Sequence, residues 1–136
     1  MPHEIRYQVT FGDCDPAGIV FYPNVYRWMD RCFHDLLRSR GGHDALCKSL
    51  GALGIGLRNA SASFLRPMRD GDDLTILIEL LEWSPRTLTV HYVGTVAGEV
   101  AFTGQEARAL FVATPAGMKA GDLQPLRDMI DDHGEG

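Results

Sequence analysis

Hydrophobic and polar residues alternate along the first segment of the chain. Its apolar face consists of Ile5, Tyr7, Val9 and Phe11. Successive side chains of a β-strand point to opposite faces, so this period of two predicts a half-buried strand over residues 5–11. Gly12 is expected to end it.

A helical period follows over residues 22–42. The apolar positions, spaced i, i+3, i+4 and i+7, are Val25, Trp28, Met29, Cys32, Phe33, Leu36 and Leu37. This spacing predicts a long amphipathic helix, with Pro23 in its first turn and Gly41 and Gly42 at its end. Because the stripe is wide and contains Trp and Phe, we expect other structure to wrap most of this helix. A second, short helix is predicted over about His43–Leu50.

The rest of the chain has a mainly β character. Strands are predicted over residues 57–65, 74–83, 87–96 and 100–112, separated by the turn sequences RPMRDGDD, SPR and AGE. These short connections predict antiparallel neighbours. Gly104 interrupts the alternation of the last run, which predicts a bulge there. In the tail, about residues 120–136, we expect one helical turn after Pro125 and a partly flexible end.

The order of the elements defines the fold class. A strand, a long helix and four antiparallel strands predict an α+β protein with one helix packed on one sheet. The 136 residues fit a single domain over residues 1–136. Open sheet edges favour a homo-oligomer.

Composition narrows the possible partners. Apolar residues make up 45% and charged residues 23%, as is usual for globular proteins, and the net charge of −5 argues against nucleic-acid binding. No apolar run approaches the ~20 residues that cross a membrane. The first residues lack a signal-peptide pattern, and the three cysteines include no CxxC pair. We therefore expect a cytoplasmic protein with reduced thiols and without a zinc framework.

Two acidic residues stand in the otherwise small or apolar stretch FGDCDPAGIVFYPN, at positions 13 and 15. An EF-hand is excluded because its fifth position requires an oxygen ligand and its twelfth a glutamate, and here these positions hold Ala17 and Asn24. No metal site is expected. Asp13 is interpreted as a turn former that bonds to nearby backbone.

Asp15 has two open interpretations. It could form a turn in the same way, or it could be catalytic, because the loop leads directly into the N-terminus of the long helix. Helix N-termini present free N–H groups that stabilise a developing oxyanion. A carboxylate just upstream could attack the carbonyl or activate water. The GxSxG motif of serine hydrolases is absent.

The stretch FGDCDPAGIVFYPNVYRWMD resembles the 4-hydroxybenzoyl-CoA thioesterase family, a branch of the hotdog-fold thioesterases. The similarity continues more weakly through SASF, DGDDLTI and EW. It implies hydrolysis of an acyl-CoA thioester without a cofactor. It also implies a five-stranded antiparallel sheet curled around the long helix, and a dimer or tetramer with active sites between subunits.

The resemblance also implies site residues. Asp15 matches the catalytic aspartate, and the backbone N–H of Tyr22 matches the group that polarises the thioester carbonyl. Basic residues after EW hold the CoA phosphates in this family. Here that stretch is SPRTL, so Arg86 is the best candidate, with Arg66, Arg69 or Arg58 as possible additions.

The leading hypothesis is therefore an acyl-CoA thioesterase acting on an aromatic, 4-hydroxybenzoyl-like or short acyl group. Asp15 would be the nucleophile, through a mixed anhydride, or the general base. One alternative is a short-chain acyl-CoA or acyl-carrier-protein thioesterase of the same superfamily. The other is a non-catalytic hotdog protein that binds acyl-CoA or is purely structural.

Overall fold

The structure is a computed structural model that describes residues 3–134, with side chains described for residues 3–131. Three α-helices lie within this range: α1 (Pro23–Arg38), α2 (His43–Leu50) and α3 (Gln124–Gly134). The strands are β1 (His3–Gln8), β2 (Gly54–Phe64), β3 (Asp73–Trp83), β4 (Leu88–Val96), β5 (Glu99–Thr114) and β6 (Gly117–Ala120).

One antiparallel sheet contains all these strands. Its main path has the order β1-β3-β4-β5-β2, and β6 pairs with β5 beside that path. The five strands of the path confirm the predicted sheet. The short strand β6 was not predicted. It follows β5 after a tight turn over residues 114–117, and Gly117, which pairs with Thr114, has a φ of 110°.

The long helix α1 lies in the concave side of this sheet. All seven apolar residues of its predicted stripe are buried. Burying a side chain of this size contributes about 1.5–3 kcal/mol, so this face is a main source of stability. Pro23 is in the first turn, and Gly41 and Gly42 have φ values of 107° and 98° that end the helix. A sheet curled around one long helix is the hotdog fold that the resemblance implies.

Strand β1 is shorter than the alternation predicts. It ends at Gln8, although Val9 still donates a hydrogen bond to the Asp72 carbonyl at 2.8 Å. Phe11 begins a 3₁₀ turn instead and is 81% exposed. The side chain of Asp13 bonds to Thr10 and so turns the backbone away from the sheet.

The prediction that β2 and β3 are neighbours is wrong. Strand β2 pairs with β5, and β3 pairs with β1 and β4. The segment between them runs beside the loop that precedes α1, where the Val20 N–H donates to the Met68 carbonyl at 2.8 Å. A connection of this length is compatible with either arrangement, and its hydrogen bonds to the β1–α1 loop stabilise the crossover.

The prediction of a bulge at Gly104 is also wrong. Gly104 stays paired with both Ala62 and Tyr92, and the irregularity opposite β4 leaves Ala101 unpaired. A Cβ atom at Gly104 would collide with Sδ of Met29, so the absence of a side chain lets α1 approach the sheet closely.

The phase of β5 explains this error. The face towards α1 carries two charged residues, Glu106 and Arg108, which are 1% and 2% exposed. A prediction from alternation assigns charged residues to solvent, so it turns Glu106 and Arg108 away from α1. On that assignment the alternation changes phase near Gly104, and this change is what indicated a bulge.

Four residues form a polar cluster between α1 and the sheet: Asp30, Tyr92, Glu106 and Arg108. The last three are buried, whereas the side chain of Asp30 is about half exposed. The guanidinium of Arg108 donates to Asp30 at 2.7 Å and to Glu106 at 3.0 Å. The Tyr92 hydroxyl donates to Glu106 at 2.5 Å. Burial raises the pKa of Glu106, although Arg108 and Tyr92 oppose that shift.

The C-terminal helix is longer than predicted. It has 11 residues instead of one turn, because Leu123, Leu126 and Ile130 are buried in the core. The last predicted flexible residues, 135–136, lie outside the described residues. No helix in the described range is long and apolar enough to cross a bilayer.

Candidate active site

Asp13 organises the loop between β1 and α1. Its Oδ2 accepts hydrogen bonds from the Tyr7 hydroxyl at 2.8 Å, the Thr10 N–H at 2.8 Å and the Thr10 hydroxyl at 2.9 Å. Burial alone would raise the pKa of Asp13, but these hydrogen bonds, together with the charge of Arg27, hold the pKa below its ordinary value. Its environment therefore fits the turn-forming role predicted from the sequence.

The backbone of Asp13 connects this loop to the helix. Its carbonyl accepts hydrogen bonds from the Phe21 N–H and from Nδ2 of Asn24, each at 2.9 Å. Asn24 is in the first turn of α1. The loop and the helix N-terminus are therefore held together as one unit.

Asp15 is bonded much less completely. Its Oδ1 accepts one hydrogen bond, from the Ala17 N–H at 2.8 Å. Its backbone closes a tight turn with Ile19 and Gly18, and Gly18 has a φ of 79°, which favours glycine. Among the described residues no group donates a hydrogen bond to Oδ2. The carboxylate is thus oriented through one oxygen, and the other is available to a ligand.

The start of α1 supplies a second available group. Asn24 and Val25 donate their N–H groups to the carbonyls of Phe21 and Tyr22, each at 3.0 Å. In contrast, the N–H of Tyr22 has no acceptor within the part of the chain that the structure describes. It lies at the positive end of the helix dipole, where a negatively charged oxygen is stabilised.

A cavity of about 400 Å³ brings these residues together. Asp15, Tyr22 and Arg66 line it, and apart from these three residues its lining is apolar. The Phe64 ring also lines the cavity, and its centroid is 6.3 Å from that of the Tyr22 ring. A carboxylate and an unbonded N–H beside an apolar space can act on an uncharged carbonyl group.

The other candidate arginine near the cavity is Arg69. Its Nη1 lies 3.5 Å from the Gly18 carbonyl, so it contacts the turn that holds Asp15. It does not line the cavity. Arg66 does, and its Nη1 lies 3.0 Å from Oε2 of Glu99.

Arg86 is at the opposite end of the sheet. It precedes β4, where Leu88 pairs with Arg108 of β5, whereas Arg66 bonds to Ala101 of the same strand. Seven residues separate these two points of β5, roughly 23 Å of strand. Its Nη1 donates to the Ala120 carbonyl at 2.8 Å. Within one chain, the structure does not bring Arg86 to Asp15. Arg58 is exposed at the irregularity of β2.

Sequence reasoning missed the wall formed by residues 64–68 and the pairing of Arg66 with Glu99. The apolar pair Phe64–Leu65, placed at the end of a strand and before a proline, was the one signal of this wall. No comparable signal connects Arg66 to Glu99, because 32 intervening residues fold between them. Within the described range, no group of three or more His, Cys, Asp or Glu side chains could hold a metal ion.

Comparison with known proteins identifies the family. The profile of the thioesterase superfamily matches residues 17–101, which is more than half of the chain, so this chain belongs to that superfamily. The matched range begins just after Asp15 and includes Tyr22 and Arg66.

Individual relatives share about a third or less of their residues with this chain over the aligned range. The chain is 33% identical over 81 residues to a 4-hydroxybenzoyl-CoA thioesterase of Pseudomonas sp. strain CBS-3, covering 58% of this chain and 57% of the relative. It is 28% identical over 97 residues to a 1,4-dihydroxy-2-naphthoyl-CoA hydrolase of Synechococcus sp. strain CC9311, covering 65% and 63%. The chain thus spans less than two thirds of the length of these two relatives.

Solved structures agree on the fold. The 4-hydroxybenzoyl-CoA thioesterase from the same Pseudomonas strain superposes with a TM-score of 0.81 at 24% identity, covering 96% of this chain and 97% of that one. A gentisyl-coenzyme A thioesterase superposes with a TM-score of 0.74 at 28% identity, covering 91% and 98%.

Proposed function

We propose that this protein is an acyl-CoA thioesterase that hydrolyses an aromatic or short acyl-CoA thioester to the free acid and CoA. The observation that carries the proposal is the cavity in which Asp15, with one oxygen unbonded, and the unbonded N–H of Tyr22 occur together. The thioester carbonyl would accept a hydrogen bond from Tyr22, which stabilises the oxyanion that forms during attack.

Asp15 would perform the attack in one of two ways. As a nucleophile, it would form a mixed anhydride and release CoA, and water would then hydrolyse the anhydride. As a general base, it would take a proton from the water that adds to the carbonyl. In both cases the hydroxyl of water ends on the acyl group, and the sulfur leaves as the thiol of CoA.

An aromatic acyl group is favoured over a short aliphatic one. The relatives are named for 4-hydroxybenzoyl-CoA, 1,4-dihydroxy-2-naphthoyl-CoA and gentisyl-CoA. The cavity has an apolar lining and an aromatic ring at Phe64, and both suit a planar aryl group.

The test is hydrolysis of a panel of aryl and short acyl-CoA thioesters by the wild type and by Asp15→Asn. We expect kcat to fall by at least ~10²-fold, because the variant loses the nucleophile or base and keeps its fold. Asp13→Asn is the matched control, with activity near that of the wild type. Loss of turnover in Asp13→Asn but not in Asp15→Asn would contradict the assignment. A wild type that binds CoA thioesters without hydrolysing any would favour the non-catalytic alternative.

We also propose a dimer or tetramer with the site at a subunit contact. Within the described residues β2 pairs on one side only, with β5. Leu57, Phe64 and Leu65, on or just after this edge strand, are 50–59% exposed, and the last two line the cavity. A second copy pairing with this edge would cover them and close the cavity. Light scattering at assay concentration tests this, and a fully active monomer would contradict it.

In such an assembly, Arg86 and Arg69 would contribute to binding of the CoA phosphates, together with Arg66. Arg86 is distant from Asp15 of its own chain, so it would contact a nucleotide bound by another copy. We further propose a cytoplasmic location, because Cys14, Cys32 and Cys47 are unpaired thiols, which a reducing compartment maintains. Localisation of a fluorescent fusion tests this.

A further inference from the structure

Arg66 is the single cation among the residues that line the Asp15 cavity. Its partner, Glu99, does not line it. Nη1 of Arg66 lies 3.0 Å from Oε2 of Glu99, so the charge that would attract an anionic ligand already has a counter-ion. The proposed hydrolysis does not use this carboxylate.

The backbone places these two side chains beside each other. The N–H groups of Leu65 and Arg66 both donate to the Ala101 carbonyl, at 2.8 and 3.1 Å. Glu99 lies on β5, two residues before Ala101. It pairs with Val96 of β4 across the two-residue turn between these strands. The proximity of the pair therefore follows from hydrogen-bonded backbone on both sides.

The side chains themselves remain open to solvent. Arg66 and Glu99 are 59% and 61% exposed. An ion pair with this exposure is weak, because water screens the charges and two long side chains must be ordered. A ligand anion can therefore replace Glu99 at the guanidinium.

We propose that Glu99 is a specificity-determining residue that acts through Arg66, by competing with the phosphate groups of CoA for the guanidinium. The proposal rests on the proposed function, since it takes the cavity to be the CoA thioester site. A phosphate that binds Arg66 through two hydrogen bonds must displace Glu99 and then stays close to its negative charge. Glu99 thus weakens the binding of phosphate-bearing ligands, including the product CoA, and has no effect on neutral ones.

The test is calorimetric titration with CoA and, separately, with pantetheine, which lacks the nucleotide and its phosphates. The proteins are the wild type, Glu99→Gln, Arg66→Gln and the double variant. We expect Glu99→Gln to tighten CoA binding about two- to fivefold, the range that a weak exposed ion pair allows. The gain should shrink at high salt, and pantetheine should bind all four proteins alike.

The double variant identifies the route of the effect. If Glu99 acts through Arg66, adding Glu99→Gln to Arg66→Gln changes CoA affinity little. Glu4→Gln is the matched control for net charge, because it removes a carboxylate from the exposed Arg6 pair on β1 and should leave CoA affinity unchanged.

Three results would overturn the proposal. The first is CoA binding by Glu99→Gln that is weaker than or equal to that of the wild type. The second is a gain from Glu99→Gln that is as large in the Arg66→Gln background as in the wild type, and the third is no CoA binding by the wild type or by Glu99→Gln. Because calorimetry does not depend on turnover, the two proposals fail separately. Tighter CoA binding without hydrolysis of any thioester contradicts only the thioesterase function. Hydrolysis with unchanged CoA affinity contradicts only the role of Glu99.

Discussion

The Arg108–Glu106 pair and the Arg66–Glu99 pair have nearly equal N···O distances, 2.9 and 3.0 Å, in opposite surroundings. The first pair is 2% and 1% exposed and lies between α1 and the sheet. The second is more than half exposed at the mouth of the cavity. Burial makes partners obligatory, because a charge that leaves water must be compensated by the protein. An exposed charge is already solvated by water, so its partner can be replaced by a ligand group.

The remaining polar groups of the two regions follow the same rule. No buried side-chain nitrogen or oxygen among the described residues lacks a hydrogen-bond partner. In the cavity, by contrast, one oxygen of Asp15 and the N–H of Tyr22 lack partners. The polar groups of the core thus bond to one another within the protein, whereas these two groups of the cavity remain available to a ligand.

The largest expected effect comes from breaking the buried ion pair of Arg108 and Glu106. Arg108→Ala leaves Glu106 as an uncompensated buried charge, so we expect the free energy of unfolding to fall by about 3–5 kcal/mol. Urea denaturation measures this loss. Arg127→Ala is the matched control, since its pair with Asp131 is about half exposed and should contribute under ~1 kcal/mol.

A triple variant sharpens the same contrast. Glu106→Leu, Arg108→Met and Tyr92→Phe together replace the charged pair, and the hydroxyl that donates to Glu106, by apolar side chains, and should recover most of the stability that Arg108→Ala loses. Failure to recover it would mean that the geometry of the ion pair, and not only compensation of charge, is needed for folding.

A smaller effect is expected at Asp13, which is hydrogen-bonded as fully as a core group although it lies in the loop between β1 and α1. Asp13→Asn weakens the hydrogen bonds from Thr10 and Tyr7 and should reduce the free energy of unfolding by about 1–2 kcal/mol. Asp15→Asn, with one such bond, should change it much less. Equal losses in the two variants would contradict the division of roles in this loop.

The pH dependence of this loss has a defined sign. Because the folded pKa of Asp13 is lowered, the unfolded state takes up a proton first as the pH falls. The contribution of Asp13 is complete above its ordinary pKa of 3.8 and is lost as the pH falls through the lower folded value. Denaturation of the wild type and Asp13→Asn should therefore differ most near neutral pH and converge in strong acid.

The smallest effect is expected at Arg86, which lies at the opposite end of the sheet from the cavity. If it contacts the nucleotide, Arg86→Ala should raise KM a few-fold with a smaller change in kcat, and more strongly at low salt. A pantetheine thioester should be turned over alike by both proteins. An equal loss with this truncated substrate would exclude a nucleotide contact, and no change with either would leave Arg86 a surface residue bonded to Ala120.

Local patterns predicted much of this molecule. The stripe of α1, the short helix α2 and the role of Asp13 follow from spacing and turn chemistry within a few residues. The errors concern distant contacts. The inward Glu106 and Arg108 depend on Asp30 of α1 and Tyr92 of β4, which no spacing along β5 reveals. Strand β2 pairs with β5, and the crossover segment that follows β2 bonds to the loop before α1; both contacts join residues that are far apart in the chain.

Gly104 sets the depth at which α1 lies in the sheet, because a side chain there would push against Met29 and crowd the Ser61 carbonyl. Tyr22 immediately precedes the same helix, so this depth also affects where its N–H lies relative to Asp15. Strand β5 contributes no residue to the lining of the cavity. Even so, we expect position 104 to tolerate fewer substitutions over evolution than the apolar wall of the cavity, whose side chains can vary with the acyl group.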